Sequence, residues 1–296
     1  MPEIGGHLTF KGGTSLSKVY GAIARFSEDI DLSIERDYLG FGEDRDPGKG
    51  DSGKEKQRRL DELKLASQNF VRDQLLPLLR QQLEHALGAS PNWSIDLDEN
   101  DVDGQSVQFN YPPAVISQLS PYFAPSIKLE LGARSDHFPV EHATILPYLV
   151  DAIPGVLDDY HVPVRVLAGE RTFWEKATIL HATAHLPESK QLQIRLSRHY
   201  YDLYQLTQHQ IGEAALERFD LLERVVEHKS LFFKSAAARY ELACPGTLKL
   251  IPAAARIAEL RRDYQNMLPM LFDSPPDFQE ILEAIAALES KINSRM

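Results

Sequence analysis

Gly12 and Gly13 constrain this chain most, because of what lies on either side of them. His7 to Phe10 reads as a short strand and the glycines as a turn. Thr14 to about Ile23 reads as a helix, Arg25 to Ser27 as a second turn, and Ile30 to Ile34 as a strand. Apolar runs punctuated in this way predict two neighbouring strands joined through a helix. The second strand carries Asp29 and Asp31. Residues i and i+2 share one face of a strand, so the two carboxylates stand side by side. Such a pair repels unless a cation lies between its members. Mg2+ prefers hard oxygen ligands of this kind, completed by substrate phosphates. With no Cβ, Gly12 and Gly13 let backbone N–H groups approach phosphate oxygens closely, and Thr14 and Ser15 add hydroxyls at the same end. Lys11 and Lys18 flank the glycines.

Downstream, residues 40–56 are rich in Gly, Asp and Lys and predict a mobile loop. Apolar positions from Arg58 to Leu87 recur at helical spacing, with Pro77 expected to kink or divide the helix. Trp93 to Leu97, Val107 to Tyr111 and Ser126 to Leu131 read as strands. Phe138 to Pro163 reads as a proline-punctuated connection with strand character around Val140 to Leu146. Beyond it, Arg171 to His185, Ser197 to His209, Glu213 to Lys229 and Gln279 to Asn293 read as helices. The expectation is an α+β domain over residues 1–160 and a mostly helical domain over 161–296 that contributes to the cleft.

Composition sets outer limits. The net charge of −11 argues against a protein that coats nucleic acid nonspecifically, because phosphate neutralisation dominates such binding. A local basic groove stays compatible with that total. The single cysteine, Cys244, excludes an internal disulfide framework and a cysteine-rich zinc site. With no apolar run long enough for a membrane span and no visible signal peptide, the expected setting is the cytoplasm.

The segments Lys11-Gly-Gly-Thr-Ser-Leu-Ser-Lys18 and Arg25-Phe-Ser-Glu-Asp-Ile-Asp-Leu32 together resemble the polymerase-β-like nucleotidyltransferases. More narrowly, they resemble the AbiEii/AbiGii toxin family, which includes the MenT toxins. The resemblance implies a mixed sheet with flanking helices, followed by a helical domain. It also implies Mg2+ (or Mn2+) held by Asp29, Asp31 and a third carboxylate, Glu130, within Lys128-Leu-Glu130. Gly12, Gly13, Thr14, Ser15 and Lys18 would meet the nucleotide. Ser27 would lie near the site and could be a point of control by phosphorylation. Trp174-Glu-Lys176 and Arg198-His-Tyr-Tyr-Asp-Leu-Tyr204 resemble the family's later motifs. They mark Lys176 as a cation for the triphosphate and Asp202 as the residue that orients it.

The implied reaction is transfer of NMP from an NTP to RNA, with the tRNA 3′ end as leading acceptor. The implied setting is a toxin–antitoxin or phage-defence system with a cognate antitoxin. Two other readings keep the same motif: NMP transfer to a protein hydroxyl, and an inactive nucleotide-binding module that recognises a partner. Tyr200, Tyr201 and Tyr204 read as packing residues, and His181 and His185 as surface or interface residues. No phosphate-loop, His-Glu-x-x-His or nucleophile-elbow motif is present.

Overall fold

The computed structural model describes residues 2–27, 29–113, 125–153, 155, 161–272 and 274–295. Its contacts divide the chain into two units, residues 1–19 with 27–167, and residues 20–26 with 168–296.

The first unit contains α1 (Pro2–Gly5), β1 (Leu8–Lys11), α2 (Gly12–Lys18) and β2 (Asp29–Ile34). Next come α3 (Gly53–Phe70), α4 (Leu76–Leu87), β3 (Ser94–Leu97), β4 (Ser106–Asn110) and β5 (Ser126–Gly132). It ends with β6 (Val140–Ile145), α5 (Tyr148–Ala152) and β7 (Val162–Leu167). Among the described residues the strands form one seven-stranded mixed sheet in the order β3-β4-β5-β2-β1-β7-β6. The β2–β5 and β1–β7 neighbours are parallel and the rest antiparallel. Alternation fixes its two faces. Phe10, Ile34, Leu131 and Val166 are buried. The residues between them in sequence, including Thr9, Lys11, Asp31 and Ser33, present a polar face.

Several expectations need correction. The helix after the glycines stops at Lys18, and residues 20–26 join the other unit. Residues 40–52 form 3-10 turns at Glu43–Arg45 and Pro47–Lys49, with Phe41 and Pro47 buried. Composition concealed this because the stabilising contacts are polar. Asp46 caps Gly48 N at 2.6 Å, and the Arg59 Nη1 of α3 donates to the carbonyls of Asp44 (2.6 Å) and Asp46 (3.0 Å). Between α3 and α4 lies a π-turn, Val71–Leu75, ending just before Pro77; the wider turn accommodates the residue that lacks an N–H. The connection expected over residues 138–163 contains α5 and the first residues of β7. Residues 154 and 156–160 of that connection lie outside the described residues.

The second unit is helical. Its elements are α6 (Gly169–Ala184), α7 (Ser197–Gln208), α8 (Gln210–Leu216), α9 (Phe219–Phe232), α10 (Ala254–Met267) and α11 (Phe278–Asn293). The single helix expected over 213–229 is two, and α10 lies in a stretch read without a helix. α6 is the central element and packs against α7, α8 and α9. Its Phe173, Trp174, Ala177 and Leu180 are fully buried, and Trp174 Nε1 donates to the Ala215 carbonyl at 3.2 Å. His181 is also fully buried, contrary to the surface reading. Its Nδ1 accepts from Lys249 N at 3.1 Å, so Nε2 carries the hydrogen and donates to the Arg239 carbonyl at 3.0 Å. A satisfied neutral ring of this kind is a core residue. Residues 24–26 lie along residues 270–272, with Phe26 N donating to Met270 O (2.7 Å) and Phe272 N to Ala24 O (2.9 Å).

Candidate functional site

In the first unit the register gathers the motif residues on the polar face. Asp31 lies opposite Lys11 on β1 and opposite Glu130 on β5, while Asp29 lies opposite Lys128. Facing residues of paired strands point to the same side, so Lys11, Asp29, Asp31, Lys128 and Glu130 share one face. Gly12 follows β1 directly, with φ +75°. A Cβ placed on it would run into the Asp31 carboxylate, so only glycine leaves this carboxylate where it stands.

The hydroxyls beside the glycines serve the backbone. Thr14 Oγ1 donates to the Asp29 carbonyl and fixes the start of β2 against α2. Ser15 is fully buried, and its Oγ donates to the Gly12 carbonyl at 2.9 Å. Gly13 is buried beside it. Lys18 Nζ lies 2.7 Å above the centre of the Tyr148 ring and 3.4 Å from the Leu146 carbonyl, directed at the segment after β6. Lys11, by contrast, makes no hydrogen bond or ion pair among the described residues. Ser27 sits just before β2 and is half-buried; its neighbour Glu28 lies outside the described residues.

Glu130 is engaged along its own strand. Lys128 Nζ lies 3.0 Å from Glu130 Oε1 and 3.2 Å from the buried Asp98. Burial alone would lower the Lys128 ammonium, but its contacts with Glu130 and Asp98 outweigh that and raise it. Among the described residues no three acidic, imidazole or thiol groups are gathered closely enough to hold a cation. Two adjacent carboxylates on an open polar face suit a hard cation that keeps water and phosphate among its ligands. Glu130 lies on the same face, with its Oε1 engaged by Lys128. That ion pair is part-exposed, at 44% and 31% for the two side chains, and such pairs contribute little to stability.

The second unit brings Lys176 and Asp202 together with two residues that motif reading left unassigned, Arg25 and His199. Lys176 Nζ lies 2.8 Å from Asp202 Oδ2 and 3.1 Å from His199 Nδ1. An ammonium can only donate, so His199 Nδ1 accepts and the ring is neutral. Arg25 grips the same carboxylate through Nε to Oδ1 (2.6 Å) and Nη2 to Oδ2 (2.9 Å). Burial raises Asp202, yet Arg25 and Lys176 outweigh this and hold it well below the usual carboxylate range. Burial pushes Lys176 down; Asp202 opposes this, and the positive charge of Arg25 adds to it. His199 is also pushed well down, first by burial and then by the Lys176 charge. Tyr200 and Tyr201 are buried beside this cluster in sequence, and Tyr204 donates to Glu280 at 2.6 Å. The arginine was the hardest of these to find from sequence, since its partner stands 177 residues away.

Residues 2–284 match the family described as the nucleotidyl transferase AbiEii toxin of type IV toxin–antitoxin systems. The chain belongs to the AbiEii nucleotidyltransferase toxin family. Among solved structures, the AbiEii chain is similar to MenT4, a nucleotidyltransferase toxin from Mycobacterium tuberculosis H37Rv. That match has 18% identity and a TM-score of 0.43, covering 95% of this chain and 85% of the other. It is also similar to JHP933 from Helicobacter pylori, with 14% identity and a TM-score of 0.41, covering 98% and 84%. No curated protein sequence matches. No helix among the described residues is long and apolar enough to cross a membrane.

Proposed function

We propose that this AbiEii protein transfers NMP from an NTP to an RNA hydroxyl, with the tRNA 3′ end as acceptor and growth control by a cognate antitoxin or phage defence as its setting. The observation that carries the reading is the arrangement of Asp29 and Asp31 on one face, against a glycine that leaves room only for the Asp31 carboxylate. In this reaction the acceptor oxygen bonds to the α-phosphorus and the bond from that phosphorus to the bridging oxygen breaks. Pyrophosphate leaves, and the hydroxyl proton passes to a base. Glu130, on the same face, is the candidate for that base. Asp29 and Asp31 would hold Mg2+ or Mn2+, which when bound supplies charge neutralisation for the triphosphate. Gly12 and Gly13 would admit the phosphates close to the backbone, with Thr14 and Ser15 keeping that turn in shape. Lys11 and Lys18 would add positive charge, and Ser27 would lie at the entrance to β2. Lys176 keeps one ammonium hydrogen beyond those given to Asp202 and His199, which suits it to meet a phosphate oxygen.

The acceptor rests on family resemblance and is the part most in need of a test. The protein is incubated with each α-labelled NTP in the presence of total RNA or total protein. Label is expected in RNA and lost with Asp29→Asn and with Asp31→Asn, each of which keeps shape and removes charge. Label in protein would favour the protein-hydroxyl reading, and label in neither would favour an inactive nucleotide-binding module.

A further inference from the structure

We propose that Gln108 is a specificity-determining residue for the acceptor: its carboxamide reads the base of the terminal nucleotide at a single-stranded RNA 3′ end, with adenine as the preferred base. This role rests on reading Asp29 and Asp31 as the centre of nucleotidyl transfer to RNA.

The sheet sets the direction of approach. β2 stands between β1, which leads into the glycines and α2, and β5, which carries Glu130. With the β- and γ-phosphates drawn towards the glycines, pyrophosphate would leave on the β1 side. Attacking and leaving oxygens lie roughly in line across the phosphorus. The acceptor hydroxyl would therefore enter from the β5 side, and its base would extend over β4. Gln108 stands there. It lies opposite Lys128, which lies opposite Asp29, and on its other side it lies opposite Asp96. Asp29, Lys128, Gln108 and Asp96 thus form one row on the polar face, with Gln108 two strand spacings, about 10 Å, from Asp29.

Both neighbours of Gln108 in that row are engaged elsewhere. Asp96 accepts from Arg80 Nη2 at 3.0 Å, and Lys128 Nζ is held by Glu130 and Asp98. In the next row, Asn110 Nδ2 donates to Ser94 Oγ at 3.3 Å. The half-buried Gln108 carboxamide makes no hydrogen bond among the described residues, so its oxygen and its NH2 both stay open. A neutral donor–acceptor pair between satisfied charges suits a base edge better than a phosphate. Adenine offers the complementary pair, the N6 amine as donor and N7 as acceptor, whereas guanine presents two acceptors there, O6 and N7.

Four oligoribonucleotides of one sequence, differing only in the 3′-terminal base, are offered to the full-length protein. Transfer is followed as kcat/KM, and binding as the anisotropy of 5′-fluorescein-labelled copies. Adenine is expected to exceed guanine about tenfold or more in both. Gln108→Leu should level the four bases. Gln108→Glu, whose carboxylate only accepts, should shift the preference to cytosine through its N4 amine. Thermal midpoints check that each variant is folded. Equal use and binding of the four bases by the wild type, or an unchanged ranking in folded Gln108→Leu, would overturn the proposal. Should Gln108→Leu not fold, an adenine preference kept by Gln108→Glu would do the same. If no RNA accepts label, the transfer reading falls, while the binding ranking still decides whether Gln108 reads a base, so the two failures are distinguishable.

Discussion

His137 Nε2 lies 2.8 Å from the Ser33 hydroxyl, and the hydrogen between them belongs to the ring. The direction follows from the other nitrogen. Arg165 Nη2, which can only donate, lies 3.2 Å from His137 Nδ1. Thr9 Oγ1 receives Arg165 Nε at 3.0 Å and Nη2 at 2.9 Å, which leaves its own hydrogen for His137 Nδ1 at 2.9 Å. Ser33 passes its hydrogen on to the Gly132 carbonyl at 3.1 Å. The chain of donors runs across β7, β1, β2 and β5, and it holds only while the imidazole is neutral.

Acid should therefore weaken the first unit before it affects most carboxylates. Burial, with the Arg165 charge beside it, pushes His137 from 6.5 down to about 4. Its pKa is lower folded than unfolded, so the unfolded chain takes up the proton first. The stabilisation is full above about 6.5 and is lost as pH falls towards about 4, by at most about 3 kcal/mol. Urea midpoints measured from pH 7 to pH 4 should fall in the wild type and fall less in His137→Gln. Equal slopes in the two proteins would show that another group is responsible.

Gly12→Ala should abolish transfer while leaving a folded protein. Alanine at φ +75° costs about 1–2 kcal/mol, within the reach of an ordinary domain. Its methyl group would displace the Asp31 carboxylate, and no relaxation restores both positions. Activity with the thermal midpoint measured alongside checks this, and substantial residual transfer would show that Asp31 has freedom to move.

Lys176→Met should separate stability from activity. Replacing one buried cation of the cluster by an apolar side chain of similar length leaves Arg25 and Asp202 as a balanced pair. Because Arg25 still holds both oxygens of the Asp202 carboxylate, the folded state is expected to lose little stability. Transfer is expected to fall about a hundredfold or more, as when one donor to developing charge is lost. Lys190→Ala, at an exposed turn, serves as control and should change neither quantity. A strongly destabilised Lys176→Met with normal turnover per folded molecule would assign the lysine to structure.

Arg59→Ala should loosen residues 43–50 specifically. It removes the donor to the Asp44 and Asp46 carbonyls, worth about 1–3 kcal/mol for bonds from a charged group. Hydrogen exchange in that segment should speed up while the strands keep their protection. Unchanged exchange there would mean the 3-10 turns stand without the arginine.

The strand–glycine–helix–strand order and the Asp29/Asp31 face were legible because they follow from local spacing. β3 to β5 were legible from apolar runs. β7 was not, because Pro163 interrupts its pattern; in the sheet Pro163 stands opposite Thr144 on β6, while the pairing with β1 is at Val166, further along. Lys128 was read only as a neighbour of Glu130, since its tie to Asp98 depends on the sheet bringing distant residues together. The segment 20–26 was read as helix and turn, because nothing near it in sequence reveals a partner close to the other end of the chain.

That partner has a consequence for synthesis. Arg25 bridges to Leu271, and the Lys176 cluster requires an arginine made early and an aspartate made 177 residues later. A ribosome adds about 5–20 residues per second, so Arg25 waits on the order of tens of seconds before the second unit can close around it. A chain cut short before Asp202 would carry the acidic motif without the carboxylate that holds Arg25 and Lys176 together.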